Sequence, residues 1–249
     1  MRTAKESSFY GEDLAFLHNQ HYSDFVAGAA PQVVRVLRAA GIRQGRVCDV
    51  GCGGGQLSAS LLRAGYDVTG IDVSEAMIAI ARKRAPNARF IHGSIPGVQI
   101  PACVAAVAVG EVFNYLRSTG NILRAFRNIF ATLEPGGILL FDIKEPPPKR
   151  LVRTSACTGE GWAVIAEIDE NPARQRLVRT IHSFRKTGGY YRRSVEVHEL
   201  GIYPLAVTIR MLRKTGFTVR TFPGYGSYRL SSDRKVLLAR KARKMSRAK

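Results

Sequence analysis

"RVCDVGCGGGQLSASLLRAG", residues Arg46 to Gly65, places four glycines in the five positions 51–55, between a short apolar run and a pattern of helical period. Glycine inside regular structure costs roughly 0.5–1 kcal/mol relative to alanine. The cluster therefore marks a turn with unusual dihedrals or a backbone that something approaches closely. A glycine-rich turn that follows a strand and opens a helix lets backbone N–H groups face a ligand. The G-x-G-x-G spacing, with Asp49 two residues before the first glycine, is not the G-x-G-x-x-G of dinucleotide-binding units. The next run, YDVTGIDV, carries the acid Asp72 one residue from its end, where a strand-end carboxylate can accept both hydroxyls of a ribose.

Outward from this stretch the chain alternates strands and helices. QVVRVLRAAG (Gln32–Gly41) reads as a helix stopped by glycine, RVCDV as a strand, and QLSASLLRAG as a helix. SEAMIAIARKRA runs helical from Ser74, a suitable N-cap, to Pro86. ARFIHGS is a third strand, and CVAAVAVG is a fourth whose unbroken apolar run suits a central strand covered on both faces. NILRAFRNIFATLEPGG reads as a helix stopped at Pro135-Gly136-Gly137, before a fifth strand ILLFDIK. Such βαβ units predict a parallel, doubly wound α/β sheet with right-handed crossovers. After EPPPKR the grammar changes: residues 158–200 read as antiparallel strands, with Gly188-Gly189 as a two-residue hairpin turn. The helix PLAVTIRMLRKTG and a closing strand pair, FTVRTF and KVLLARK, follow.

At 249 residues the chain suits one domain, 1–249, containing an N-terminal cap (1–31), an inserted β lid (158–200) and a basic tail (242–249). The start of the sequence has no long apolar core and carries acids early, so no signal peptide is expected. Nor is a spanning helix or any membrane association expected. The four cysteines show no metal-type pairing; reduced thiols in a cytoplasmic protein without a metal site are expected. The formal net charge of +19 is uneven, +3 over residues 1–148 and +16 over 149–249, with eight basic residues in the last sixteen. That stretch predicts weak, non-specific nucleic-acid binding.

Asp49, the glycines and Asp72 in βαβ register resemble the class I S-adenosylmethionine-dependent methyltransferases over about Gln32–Leu140 and the elements that close the chain. "VCDVGCGGG" is similar to the family's first motif, "GIDVSEAMIAIAR" to its acidic strand end, and "LEPGGILLFD" to its helix–strand turn. The resemblance implies a Rossmann-like seven-stranded sheet of order 3-2-1-4-5-7-6 with the last strand antiparallel. It also implies S-adenosyl-L-methionine as cofactor, with Asp49, Gly51 and Gly53 along its methionine part. Asp72 then holds the ribose, Val73 and Met77 flank the adenine, and Ser94 stands where many members carry an acid. Ile95 and Gly110 complete the set, and Tyr22 or Tyr10 on the cap meets the carboxylate end. Strand four begins with Cys103 where many members have an acid.

Acceptor groups belong at the carboxyl ends of strands four and five and on whatever covers them. GEVFNYL offers Glu111 and Tyr115, and lacks the Asn/Asp-Pro-Pro-Tyr segment expected of methyltransferases acting on nucleobase amines. Phe113 and Tyr115 can equally be helix packing. In the hairpin, Arg179 opposes His198. Alternation puts Arg179, Arg192, Glu196 and His198 on one face and Val178, Phe184, Tyr191, Val195 and Val197 on the other. Such a sheet fits a lid with its apolar side down. The insertion is similar to that of small-molecule methyltransferases, particularly amino-sugar N,N-dimethyltransferases. His198 is the candidate general base, because an unperturbed imidazole changes charge between pH 5 and 8. The expected function is methyl transfer to a small-molecule acceptor. The alternatives are an RNA methyltransferase gripping phosphate with its basic end, and a cofactor-binding protein without transferase activity.

Overall fold

The computed structural model describes residues 9–21 and 24–243. Two helices, α1 (Glu12–His21) and α2 (Asp24–Ala39), precede β1 (Arg46–Val50), α3 (Gln56–Arg63), β2 (Asp67–Asp72), α4 (Glu75–Arg84), β3 (Arg89–His92) and β4 (Cys103–Ala108). A 3-10 turn (Val112–Leu116), α5 (Thr119–Thr132) and β5 (Leu133–Lys144) follow. Then come four long strands, β6 (Leu151–Gly159), β7 (Trp162–Asn171), β8 (Arg176–Thr187) and β9 (Tyr190–Gly201). The chain closes with α6 (Leu205–Thr215), β10 (Phe217–Phe222), the two-residue β11 (Gly224–Tyr225) and β12 (Tyr228–Arg229), and β13 (Arg234–Lys241).

The main sheet runs β3-β2-β1-β4-β5-β13-β10. Strands β1 to β5 are parallel, while β13 is antiparallel to both β5 and β10. With β10 and β13 counted as sixth and seventh, this is the expected order 3-2-1-4-5-7-6. Its central strands are buried on both faces, as their unbroken apolar runs require. On one side the Phe113, Phe126 and Phe141 rings cluster at 4.8–5.6 Å, Phe113 meeting both others edge to face. On the other Val33, Leu37, Leu57, Leu61 and Tyr225 pack against Val47, Val107 and Leu140.

Three expectations change. The helix expected over Asn121–Gly137 ends at Thr132, and Leu133–Gly137 already belong to β5. A register shift between the Cys103 and Ala105 pairings, a bulge, absorbs the glycines that looked like a terminator. The helix expected from Gln32 starts at Asp24 and contains Pro31, which costs it one backbone bond. The insertion is longer than 158–200, because β6 begins at Leu151. This edge strand is exposed along its whole length and so shows no alternation.

The inserted sheet, β6-β7-β8-β9, is antiparallel throughout, and Lys186 faces Tyr191 as the hairpin turn requires. Its orientation reverses the expectation. The face bearing Arg179, Ile181, Ser183, Glu196 and His198 turns toward the main sheet, with His198 1% exposed. The apolar side points away, leaving Tyr191 57% and Val195 and Val197 each 45% exposed. The lid's two ends are stapled by Asn114, whose Nδ2 donates to the carbonyls of both Lys144 (3.0 Å) and Gly201 (2.7 Å). Buried Lys144 pairs with Glu170 of the lid at 3.1 Å and with Asp233. Helix α1 bridges lid and core: Leu14 and Leu17 pack on Val164 and Ile181, Asp13 pairs with Arg192, and the Arg185 guanidinium lies 3.5 Å above the Phe16 ring.

Candidate active site

A cavity of about 610 Å³ lies between the carboxyl ends of β1, β2 and β4 and the inward face of the lid. Its size suits a drug-sized ligand. It has two halves of different construction.

The first half is backbone. Gly51, Gly53 and Gly55 all adopt positive φ (66°, 50° and 76°), and a Cβ on Gly51 would lie 2.6 Å from the Val112 side chain. The glycines thus serve both purposes offered by the sequence, left-handed turns and close approach. The amides, however, are already used. Gly51 and Cys52 donate to the Ile71 carbonyl at 2.7 and 3.0 Å, and Gly53 donates to Asp72 Oδ2 at 2.8 Å. The loop is therefore no phosphate cradle. Over Gly54 packs the side chain of Asn19 from α1, which lines the cavity and whose buried Oδ1 has no hydrogen-bond partner among the described residues. A buried orphan acceptor calls for a donor, and the α-ammonium of a bound methionine moiety is one. Arg84, which donates to the Gly54 carbonyl at 2.8 Å, lines the same corner. Asp72 accepts from Gly53 N and, through Oδ1, from Ser74 N at 2.8 Å, so each oxygen keeps a lone pair for a ribose hydroxyl. Burial raises the Asp72 pKa, against the opposing pull of these amides. Ser74 caps α4 as expected, accepting from Met77 N at 3.1 Å.

The second half is side chains. Glu196 Oε2 lies 3.0 Å from His198 Nε2, and His198 Nδ1 lies 3.2 Å from the Tyr115 hydroxyl, which is 3.4 Å from that of Tyr10. A carboxylate at Nε2 fixes the proton there, so in the neutral ring Nδ1 accepts from Tyr115. Glu196 also accepts the amides of Tyr10 (2.8 Å) and Gly11 (3.0 Å), and Ser74 Oγ donates to the Tyr10 carbonyl at 2.8 Å. The residue opening the cap is thereby tied to lid and core at once, with Tyr10 held at φ 55°. Burial raises both tyrosine pKa values, keeping the phenols protonated. Burial also lowers His18, on the same wall, to about 4, so it is neutral. Beside them Arg179 donates to Glu111 Oε2 at 2.8 Å, and Arg234 pairs with the same carboxylate. Val164, Ala166, Ile168 and Ile181 supply an apolar wall.

Most of the residues singled out in the sequence meet here. Gly51, Gly53, Asp72, Val73, Met77, Ser94, Ile95 and Gly110 line the cavity, as do Glu111, Tyr115 and His198. Asp49 does not: it sits beneath the glycine loop, 2% exposed, accepting from Ser58 Oγ at 2.6 Å, and burial raises its pKa to about 7. Glu111 is at the cavity but is held as a counter-ion. Burial raises its pKa, and the guanidiniums of Arg179 and Arg234 more than reverse this, so the net shift is downward and it is a poor base. Phe113 packs in the core and also borders the cavity, as Tyr115 does. Tyr22 lies outside the described residues. Sequence reasoning missed Asn19, which carries no local signal. It also passed over Arg179 and Glu196, although strand alternation had placed both on His198's face. Asp142 was missed too: it accepts from Gly110 N (2.7 Å), Glu111 N (3.1 Å) and Tyr225 Oη (2.7 Å) and so shapes the β4 exit.

Comparison with known proteins supplies the context for this geometry. A methyltransferase-domain family model matches residues 47–137. The "Putative methyltransferase YqeM" of Bacillus subtilis (strain 168) is 29% identical over 70% of this chain and 74% of its own. A protein named in the same terms from Geobacillus sp. (strain WCH70) is 36% identical over 71% and 76%. Among solved structures, DesVI of Streptomyces venezuelae superposes with a TM-score of 0.79 at 21% identity, covering 94% of this chain and 100% of that one. SAM-bound CalS10 of Micromonospora echinaspora, an amino pentose methyltransferase, gives 0.75 at 20% identity, over 96% and 100%. At these identities the structural likenesses speak for the fold.

Proposed function

The chain belongs to the S-adenosylmethionine-dependent methyltransferases, and we propose that it moves the methyl group to a small molecule enclosed beneath the inserted sheet. The observation that carries this reading is the single cavity shared by the glycine-loop end of the parallel sheet and the His198 face of the lid. A pocket closed over by a lid, a cap helix and two tyrosines suits an acceptor it can surround, rather than a polymer it would grip from outside.

The bound cofactor supplies a sulfonium-activated methyl group, so the protein's tasks are alignment, exclusion of water and removal of a proton. Asn19, Asp72, Val73 and Met77 would hold the cofactor, and Gly110 leaves open space where a Cβ would stand at the β4 exit. His198, oriented by Glu196, takes the acceptor's proton through the Tyr115 hydroxyl, which receives one proton as it passes its own to Nδ1. Tyr10 completes the roof. The buried free thiols of Cys48, Cys52 and Cys103 support a reducing, cytoplasmic setting. Among the described residues no helix is long and apolar enough to cross a membrane.

The test is transfer of a labelled methyl group from S-adenosylmethionine into a cell extract separated into small-molecule, protein and RNA fractions. Label is expected in the small-molecule fraction, and lost with His198→Gln. Label confined to RNA or protein overturns the reading.

A further inference from the structure

We propose that the methyl acceptor is an acidic oxygen nucleophile, a phenol or enol on an apolar planar body, and that Arg179 receives its oxyanion. This rests on the small-molecule reading above and specifies which small molecule the site can take.

The argument is one of charge and free hydrogen-bonding capacity. Arg179 faces His198 directly across the β8–β9 pair and on the same side of the sheet, where opposing Cβ atoms stand about 4.5–5.5 Å apart. It lines the cavity with its side chain 19% exposed. Among the described residues it makes one hydrogen bond, to Glu111, so most of the five N–H donors of its guanidinium remain for a ligand. Glu111 is shared with a second guanidinium, Arg234, so its charge is already met and is not free for a cationic ligand. The other carboxylate, Glu196, is occupied by His198 and the amides of Tyr10 and Gly11. His18 and His198 add no negative charge, and the phenols of Tyr10 and Tyr115 are donors.

An alkyl amine reaches this corner as an ammonium ion and leaves methylated as a cation, beside two guanidiniums and without a carboxylate free to meet it. A phenol or enol does the opposite. Its O–H proton passes to Tyr115 and on to His198 Nδ1, and the oxyanion that forms is stabilised by Arg179. The oxygen lone pair then makes the O–CH3 bond as the C–S bond breaks, with that bond's electrons going to sulfur. Preorganised donors aimed at developing negative charge are the largest lever available to such a site. The wall of Val164, Ala166, Ile168 and Ile181 is apolar, with the Ser155 hydroxyl beside Ala166 on the neighbouring strand, and suits a flat apolar ring.

The experiment uses the full chain saturated with S-adenosylhomocysteine for calorimetric binding, and with S-adenosylmethionine for turnover. The probes are matched pairs: catechol against benzylamine, and 2-naphthol against 2-naphthylmethylamine. The phenols are expected to bind at least tenfold more tightly than their amine partners and to be methylated. Arg179→Gln should weaken phenol binding tenfold or more while leaving cofactor affinity unchanged. Arg179→Lys, which keeps the charge opposite Glu111 if the glutamine variant does not fold, should retain part of it. Tighter binding or faster methylation of the amines, phenol binding indifferent to both variants, or no phenol bound at all overturns the proposal. The parent reading falls separately, only if no small molecule of any class accepts the methyl group.

Discussion

The two halves of the cavity are built on different length scales. In the cofactor half, Asp72 meets Gly53 N nineteen positions away and Ser74 N two positions away, and the glycine amides fold back on Ile71. In the acceptor half, Tyr10 N reaches Glu196 over 186 positions, Arg192 reaches Asp13 over 179, and Arg179 reaches Glu111 over 68. A local site can be made by one strand–turn–helix unit whose backbone fixes it. A distant one depends on side chains that meet only when cap, lid and core have all closed. The first half should therefore tolerate damage to the second.

The strongest way to break this contrast is Glu111→Gln. It leaves Arg179 and Arg234 without their carboxylate, and loss of one partner of a buried ionic group costs about 3–5 kcal/mol. Denaturant unfolding should show a loss of that order, and a loss below 1 kcal/mol would mean that lid and core are joined elsewhere. Next is His198→Gln, expected to slow turnover roughly 10²–10³-fold, in the range for a lost general base. Cofactor affinity by calorimetry should not move. Asp72→Ala tests the local half: S-adenosylmethionine binding should weaken by about 1.5–3 kcal/mol, the range for hydrogen bonds to a charged group. The lid's contacts should survive, read as unchanged unfolding cooperativity.

The last test sharpens the comparison from beneath the loop. The Asp49 pKa is about 7 in the fold, against about 3.9 for an unperturbed aspartate, so the folded state holds the proton more tightly. Its contribution to stability is full below pH ~4 and is lost as pH rises toward 7, with a limiting slope of about 1.4 kcal/mol per pH unit. Asp49→Asn should flatten stability across that window. Wild type and mutant with the same pH profile would mean that the carboxyl ionises freely under the loop.

The same difference in length scale explains what could be read from the sequence. The parallel sheet, the glycine turn and the Ser74 cap were legible, because each rests on spacing within one βαβ unit, whereas the strand order came from the family resemblance. His198 opposite Arg179 was legible from the Gly188-Gly189 turn. Which face of the lid points down was not: Tyr191, Val195 and Val197 look like an interior face, yet Arg179 and His198 find partners on the core that no local pattern reveals. Asp49 was misplaced for a related reason. Its spacing to the glycines fits cavity and underside alike, and the Ser58 hydroxyl decides between them.

The staple at Asn114 has a consequence for descent. One amide group holds the carbonyls of Lys144 and Gly201, so the chain leaves the core and returns to it at almost the same point. Everything between those two carbonyls, including Arg179, Glu196 and His198, can be exchanged as a cassette while the seven strands below keep their pairing. A change of acceptor can therefore be confined to one excursion of the chain, provided that Lys144 and Glu111 keep their partners in it.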